Sequence, residues 1–73
     1  MLPVKFYIKE YLEKRKDWVA GGDIERYIPS FTAYKPSYVA RALRQMAVDN
    51  LIIAEYRQAP TGRKYVVYSV KTP

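Results

Sequence analysis

The chain of 73 residues has the length of one small domain, and it carries 13 Lys and Arg against 7 Asp and Glu, a formal net charge of +6. It contains neither Cys nor His, which excludes disulfides, thiolate and imidazole metal ligands, and Ser-His or Cys-His catalytic pairs. No apolar run approaches the length of a membrane span, and no signal-peptide core follows Met1, so we expect a cytoplasmic protein.

A first helix is predicted over residues 3–16. Apolar side chains recur there at intervals of three and four, at Val4, Ile8, Tyr11 and Leu12. The opposite face mixes Lys and Glu, and Glu10 and Lys14 stand four apart in the order that stabilises a helix. We therefore interpret this face as an ordinary solvated surface. Tyr7 either extends the core stripe or offers an apolar contact to a second copy of the chain.

A short strand and a short helix are predicted next. Trp18 and Val19 indicate a brief strand near residues 17–20, with Trp18 in the core. Two glycines then break the pattern, and Gly22 or Asp23 caps a second helix at residues 23–29, which Pro29 ends. A double glycine can cradle a phosphate, but this one lacks both a G-x-G-x-x-G run and a following Lys-Ser or Lys-Thr, which argues against a nucleotide site.

The third helix is predicted over residues 35–49, after a tight turn at 30–34 that Phe31 anchors to the core. Pro36 suits the first helical turn, and the apolar stripe consists of Val39, Leu43, Met46 and Ala47. Asn50 tolerates the left-handed conformation in which helices commonly end, so we expect the helix to stop there and Leu51 to pack back.

The C-terminal part of the chain is predicted to form a β-hairpin. Two runs rich in Val, Ile and Tyr, at residues 51–57 and 64–70, flank a segment in which Pro60 and Gly62 suit a turn with a bulge. A hairpin of this length is too weak to stand alone in water, so it must pack against the helices.

Positive charge is concentrated in two segments. Residues 35–48 hold three basic side chains and no acid, while residues 56–73 hold four basic side chains, Lys71 among them, and no acid. All other residues together contribute a net charge of −1. Such clustering is typical of a surface that binds a polyanion.

The order of these elements resembles that of the winged helix-turn-helix family. DWVAGGDIERYI resembles the first strand and second helix of that family, KPSYVARALRQMAVDNLI its recognition helix, and AEYRQAPTGRKYVVYSV its wing. The resemblance implies a single α+β winged-helix domain over residues 1–73, similar to the small standalone transcription regulators of archaea, bacteria and their viruses. The subgroup that binds left-handed nucleic acid is not favoured, because its helix Asn is missing and Pro60 is the hairpin's lone proline.

The resemblance implies a DNA-binding surface. The helix over residues 35–49 would enter the major groove of double-stranded DNA, and the wing loop over residues 58–64 would contact the backbone or minor groove. The side chains expected at this interface are Lys35, Ser37, Tyr38, Arg41, Arg44, Gln45, Arg57, Arg63 and Lys64. Arg and Gln suit base edges, while Lys, Ser and Tyr more often hold phosphates. Arg44 has the alternative of pairing with a nearby acid, and Tyr38 that of packing on Phe31 or Tyr34.

Other functions are weighed against DNA binding. A winged-helix module that binds an acidic protein would satisfy the same electrostatics and is the main alternative. RNA binding is conceivable with eight tyrosines, but the RNP-type strand motif is absent. The seven acids are scattered, so we expect no enzymatic activity, and the sequence indicates no metal, cofactor or membrane partner. Pairing of two modules on a pseudo-palindromic site makes a homodimer a candidate assembly.

Overall fold

The computed structural model of the protein describes residues 2–70. Its elements are α1 (Val4–Arg15), β1 (Val19–Ala20), α2 (Gly21–Tyr27), a single 3-10 turn (Ile28–Ser30), α3 (Pro36–Val48), β2 (Ile52–Gln58) and β3 (Lys64–Val70). The predicted α+β class, with three helices, a short first strand and a C-terminal hairpin, is therefore confirmed. Lys71, counted above in the basic C-terminal segment, lies outside the described residues.

The three strands form one antiparallel sheet in the order β1-β3-β2. Tyr68 in the central strand pairs with Val19 on one side and with Ala54 on the other, so these three side chains share a face. This face packs on the helices and includes Ile52, Val66 and Val70. The opposite face, which we call the outer face of the sheet, carries Ile53, Glu55, Arg57, Tyr65 and Val67.

The hydrophobic core lies between the three helices and the inner face of the sheet. Each helix contributes a stripe of buried side chains, and the sheet completes the core; its members are Val4, Ile8, Leu12, Val19, Ile24, Ile28, Val39, Leu43, Met46, Ile52 and Tyr68. The apolar stripes predicted for α1 and α3 are therefore the core-facing stripes. On the solvated side of α1, Lys14 Nζ lies 3.5 Å from Glu10 Oε1, which is the predicted pair.

The double glycine belongs to α2, so the prediction that it precedes a helix starting at Asp23 is wrong. Ala20 has extended backbone angles, with φ −62° and ψ 138°, and the helix begins directly after it at Gly21. A Cβ on Gly21 would lie 3.0 Å from Cε2 of Tyr68, whereas a Cβ on Gly22 would meet nothing within 4 Å. Gly21 thus allows the start of α2 to approach β3 closely.

Two aromatic side chains predicted to lie in the core lie at the surface. Trp18 is half-buried, and the Arg57 guanidinium carbon lies 5.5 Å from its ring centroid. Phe31 is 52% exposed, and its ring contacts those of Tyr7 and Tyr27 at centroid distances of 5.5 and 5.0 Å. Tyr7 is half-buried and packs against the core, so it belongs to the core side of α1.

The end of α3 and the hairpin turn have the predicted backbone conformations. Asn50 is left-handed at φ 61°, its N–H donates to the Ala47 carbonyl, and the Leu51 N–H donates to the Met46 carbonyl at 2.9 Å. The side chain of Leu51 does not pack back as expected, because it is 41% exposed. In the hairpin turn Gly62 has φ 90°, and its N–H donates to the Ala59 carbonyl at 2.8 Å.

Among residues 2–70, no helix has the length and apolar character needed to cross a bilayer.

Candidate nucleic-acid interface

The buried stripe of α3 determines which of its side chains face solvent. Arg41 lies two residues from both Val39 and Leu43, and one residue advances a helix by about 100°, so Arg41 points away from the core. Lys35 directly precedes this helix, and it and the five predicted side chains on the helix are all exposed: Lys35, Ser37, Tyr38, Arg41, Arg44 and Gln45. The first acid after Lys35 is Asp49, whose Oδ1 accepts a hydrogen bond from Gln45 Nε2 at 3.1 Å.

Two neighbouring grooves bring five of these six side chains together. The first groove is lined by residues at and just before the start of α3, namely Ala33, Tyr34, Lys35, Ser37, Tyr38 and Arg41. The second groove lies between the first turn of α1 and the middle of α3, and Val4, Lys5, Tyr38, Arg41, Ala42 and Gln45 line it. Tyr38 and Arg41 border both grooves. Tyr38 packs on Tyr34, as the alternative reading proposed, with parallel rings 5.3 Å apart.

Arg44 lies on the other flank of α3, where the helix approaches the sheet. Burial raises the pKa of the Tyr68 hydroxyl above its ordinary value of 10.0, the negative charge of Glu25 raises it further, and the positive charge of Arg44 opposes the shift. Tyr56 also raises this pKa, so Glu25, Arg44 and Tyr56 all lie near the same hydroxyl. Within the described residues Arg44 forms no ion pair.

Arg57 belongs to the outer face of the sheet, away from the helices. Its Nε donates to Glu55 Oε1 at 3.0 Å, and its guanidinium lies over the ring of Trp18. It also borders a hollow near the end of the hairpin that Tyr56, Gln58 and Lys64 line. The positive charge of Arg57 is therefore partly engaged within the protein, and its side chain stands apart from the α3 surface.

Arg63 and Lys64 lie at the hairpin tip, near the start of α2. Together with Gly22, Asp23 and Arg26 they line a groove between the first turns of that helix and the beginning of β3. Asp23 and Glu25 are the two acids that line this groove, and the Asp23 carboxylate pairs with Arg26. The structure thus divides the nine predicted residues among three places: the exposed side of α3, the outer face of the sheet, and the hairpin tip.

Three further residues of this surface were not predicted. Lys5 reaches the second groove only because α1 packs across α3, and no local pattern reveals that contact. Tyr34 belongs to this surface because its ring stacks on that of Tyr38. Tyr56 is 81% exposed, and its alternation with Ile52 and Ala54 places it on the inner face of the hairpin, beyond the helices. That alternation is visible in the sequence.

Comparisons of the chain with models of protein families, with curated proteins and with solved structures gave no match.

Proposed function

We propose that the protein is a winged helix-turn-helix domain that binds double-stranded DNA with sequence preference and acts as a transcriptional regulator. The element order, the sheet order β1-β3-β2 and the projecting hairpin support this assignment of the fold. In this proposal α3 is the recognition helix and the hairpin β2–β3 is the wing. The major groove of B-form DNA is about 12 Å wide and admits one α-helix.

The observation that carries the proposal is the charge on the exposed side of α3. Lys35, Arg41 and Arg44 are exposed there, and no carboxylate occurs on the helix before Asp49. A helix that needs only solubility ordinarily mixes both signs, as the outer face of α1 does with Glu10 and Lys14. A helical face that carries only positive charge favours binding to phosphates, because condensed counterions are released from the DNA.

The side chains divide between base and phosphate contacts by their chemistry and position. Arg41 points directly away from the core, so its guanidinium is best placed to pair with the O6 and N7 atoms of a guanine. Gln45 offers an amide to adenine once it exchanges its bond to Asp49 for a base contact. Lys35 and Ser37 lie at the start of the helix and serve phosphates, as do Arg63 and Lys64 at the tip of the wing.

Titration of labelled mixed-sequence duplex at several salt concentrations tests the proposal. With roughly four to six phosphate contacts per protomer, the logarithm of the association constant should fall against the logarithm of salt concentration with a slope of about −4 to −5. Competition with an unrelated, scrambled duplex then measures the sequence preference. No binding to any duplex at low salt would refute the proposal and favour an acidic protein as the partner.

A further inference from the structure

The ring of Tyr38 separates the two grooves beside α3. On one side it stacks on Tyr34, whose ring is tilted only 8° from its own and whose hydroxyl donates to the Leu2 carbonyl at 2.9 Å. Tyr34 lines the first groove but not the second, whereas Tyr38 lines both. Tyr38 thus borders the second groove without Tyr34, and half of the Tyr38 surface remains exposed.

The second groove has an apolar base and a polar rim. Val4, which is 5% exposed, and Ala42 form the apolar part, and the volume of the groove is about 210 Å³. Lys5, Arg41 and Gln45 supply two cations and one amide around it. Lys5 makes no ion pair with any residue in the described part of the chain, so its ammonium group is available to an anion.

A flat aromatic ligand that carries a phosphate matches this combination of groups. Aromatic side chains bind nucleobases by stacking, and a nearby cation holds the phosphate of the same nucleotide. Inside a duplex the faces of each base are covered by its neighbours, so a base can stack on Tyr38 only when it is unpaired. Arg41 borders the groove and also points outward, which joins the groove to the surface proposed to bind duplex.

We propose that the groove between α1 and α3 binds an unpaired nucleotide of a DNA strand. Its base stacks on the ring of Tyr38, and Lys5 contacts the phosphate. The DNA that this domain prefers is then a duplex with a single-stranded extension. This inference rests on the proposed function, because it assumes that the adjoining duplex lies on α3.

A pair of duplexes that differ only in one short single-stranded end tests the inference. Base stacking on an aromatic side chain should make the extended duplex bind about 5-fold to 150-fold more tightly than the blunt one. A 2-aminopurine placed in the extension should lose fluorescence on binding, which reports stacking in the wild-type protein without any substitution.

Substitutions at Tyr38 show whether its ring is responsible. Tyr38→Phe should keep the preference for the extended duplex, while Tyr38→Leu should abolish it, because leucine offers no flat face. The readout is the ratio of the affinities of each variant for the extended and the blunt duplex. Lys5→Ala should reduce the same preference. Tyr27→Leu is the matched control, since Tyr27 is a 46% exposed tyrosine that is also stacked on another tyrosine ring, that of Tyr11, and lines neither groove, and it should change neither duplex.

The outcomes separate this inference from the proposed function. If the blunt duplex binds and the extension adds nothing, the groove does not take an unpaired base and the inference is wrong, while duplex binding stands. If the extended strand binds with the Tyr38 dependence but the blunt duplex does not, the groove takes an unpaired base as inferred, while the proposed function fails and with it the placement of a duplex on α3. If neither binds, both fail. If deoxyadenosine monophosphate at micromolar concentration displaces the extended DNA, the site belongs to a free nucleotide and its assignment to a strand is overturned.

Discussion

Replacement of Arg41 by alanine should impair base recognition without affecting the fold. Arg41 is exposed, lies opposite the buried stripe and makes no ion pair within residues 2–70. The substitution therefore removes no contact that stabilises the folded chain, and alanine is at least as good a helix former as arginine. We expect the free energy of unfolding to change by less than about 0.5 kcal/mol.

The loss should be confined to binding at the preferred sequence. A two-bond contact between arginine and guanine contributes about 1–3 kcal/mol of discrimination, which corresponds to a rise in the dissociation constant between about 5-fold and 150-fold. On a scrambled duplex the same variant loses only the nonspecific effect of one positive charge. The ratio of the two affinities should therefore fall toward one.

The assay begins with selection of a preferred duplex from a random library by the wild-type protein. Fluorescence anisotropy then gives the affinities of both proteins for that duplex and for a scrambled one, and thermal unfolding followed by circular dichroism gives their stabilities. If Arg41→Ala weakens both duplexes by the same factor, Arg41 contacts a phosphate and the assignment of base recognition to it is wrong. If the variant unfolds, the orientation of α3 is wrong.

Three other substitutions test the wing, the start of α2 and the buried tyrosine. Arg63→Ala should weaken preferred and scrambled duplexes by similar factors and make the salt slope shallower by about one, as titrations at several salt concentrations would show. Gly21→Ala should lower the free energy of unfolding measured in urea, because the added Cβ would lie 3.0 Å from the Tyr68 ring. Overpacking of this kind costs about 1–3 kcal/mol, which exceeds the roughly 1 kcal/mol gained in helix propensity. Gly22→Ala, which has open space around its Cβ, is the matched control and should be neutral or stabilising. Above a pH of about 10, the free energy of unfolding should fall less steeply with pH in Tyr68→Phe than in the wild type. Chemical unfolding at a series of pH values measures both slopes. The folded wild type holds the Tyr68 proton more tightly than the unfolded chain does, so deprotonation there favours unfolding; equal losses in both proteins would contradict this.

Helix periodicity predicted α3 well because one period describes the whole element. Val39, Leu43 and Met46 are all fully buried, and the observed helix is one residue shorter at each end than predicted. The start of α2 was missed for a reason that lies outside the local sequence. Glycine ordinarily interrupts a helix, but at Gly21 the approach of β3 leaves no room for a side chain, and this tertiary contact outweighs the local preference.

The error at Trp18 follows from the geometry of a strand. Neighbouring residues point to opposite faces, so Trp18 and Val19 cannot both face the core. Val19 pairs with Tyr68 and is buried, which leaves Trp18 on the outer face with Arg57. The same alternation separates Arg57 from Tyr56 in β2. Both distinctions were available from the sequence once one strand residue was assigned to the core.

The candidate site was predictable where a single element defines it and not where two elements meet. The exposure of Arg41 and Gln45 follows from the helical period alone. The position of Lys5 in one groove with Gln45 depends on how α1 crosses α3, and the influence of both Glu25 and Arg44 on the Tyr68 hydroxyl depends on how α2 and α3 pack on the sheet. Packing between elements involves residues distant in sequence, so the periodicity of one element does not encode it.

The burial pattern of β2 has a consequence for the stability of the hairpin. Only Ile52 of this seven-residue strand is buried, and the strand forms an edge of the sheet. Backbone hydrogen bonds to β3 therefore supply most of the interactions that stabilise residues 53–58. A segment with so little apolar burial opens at a free energy well below that of global unfolding. We therefore expect the amide hydrogens of residues 53–58 to exchange with solvent while the three helices stay closed. In the proposed complex with DNA, the hairpin would adjust its angle to the bound surface at small energetic cost, and binding would give up that freedom as entropy.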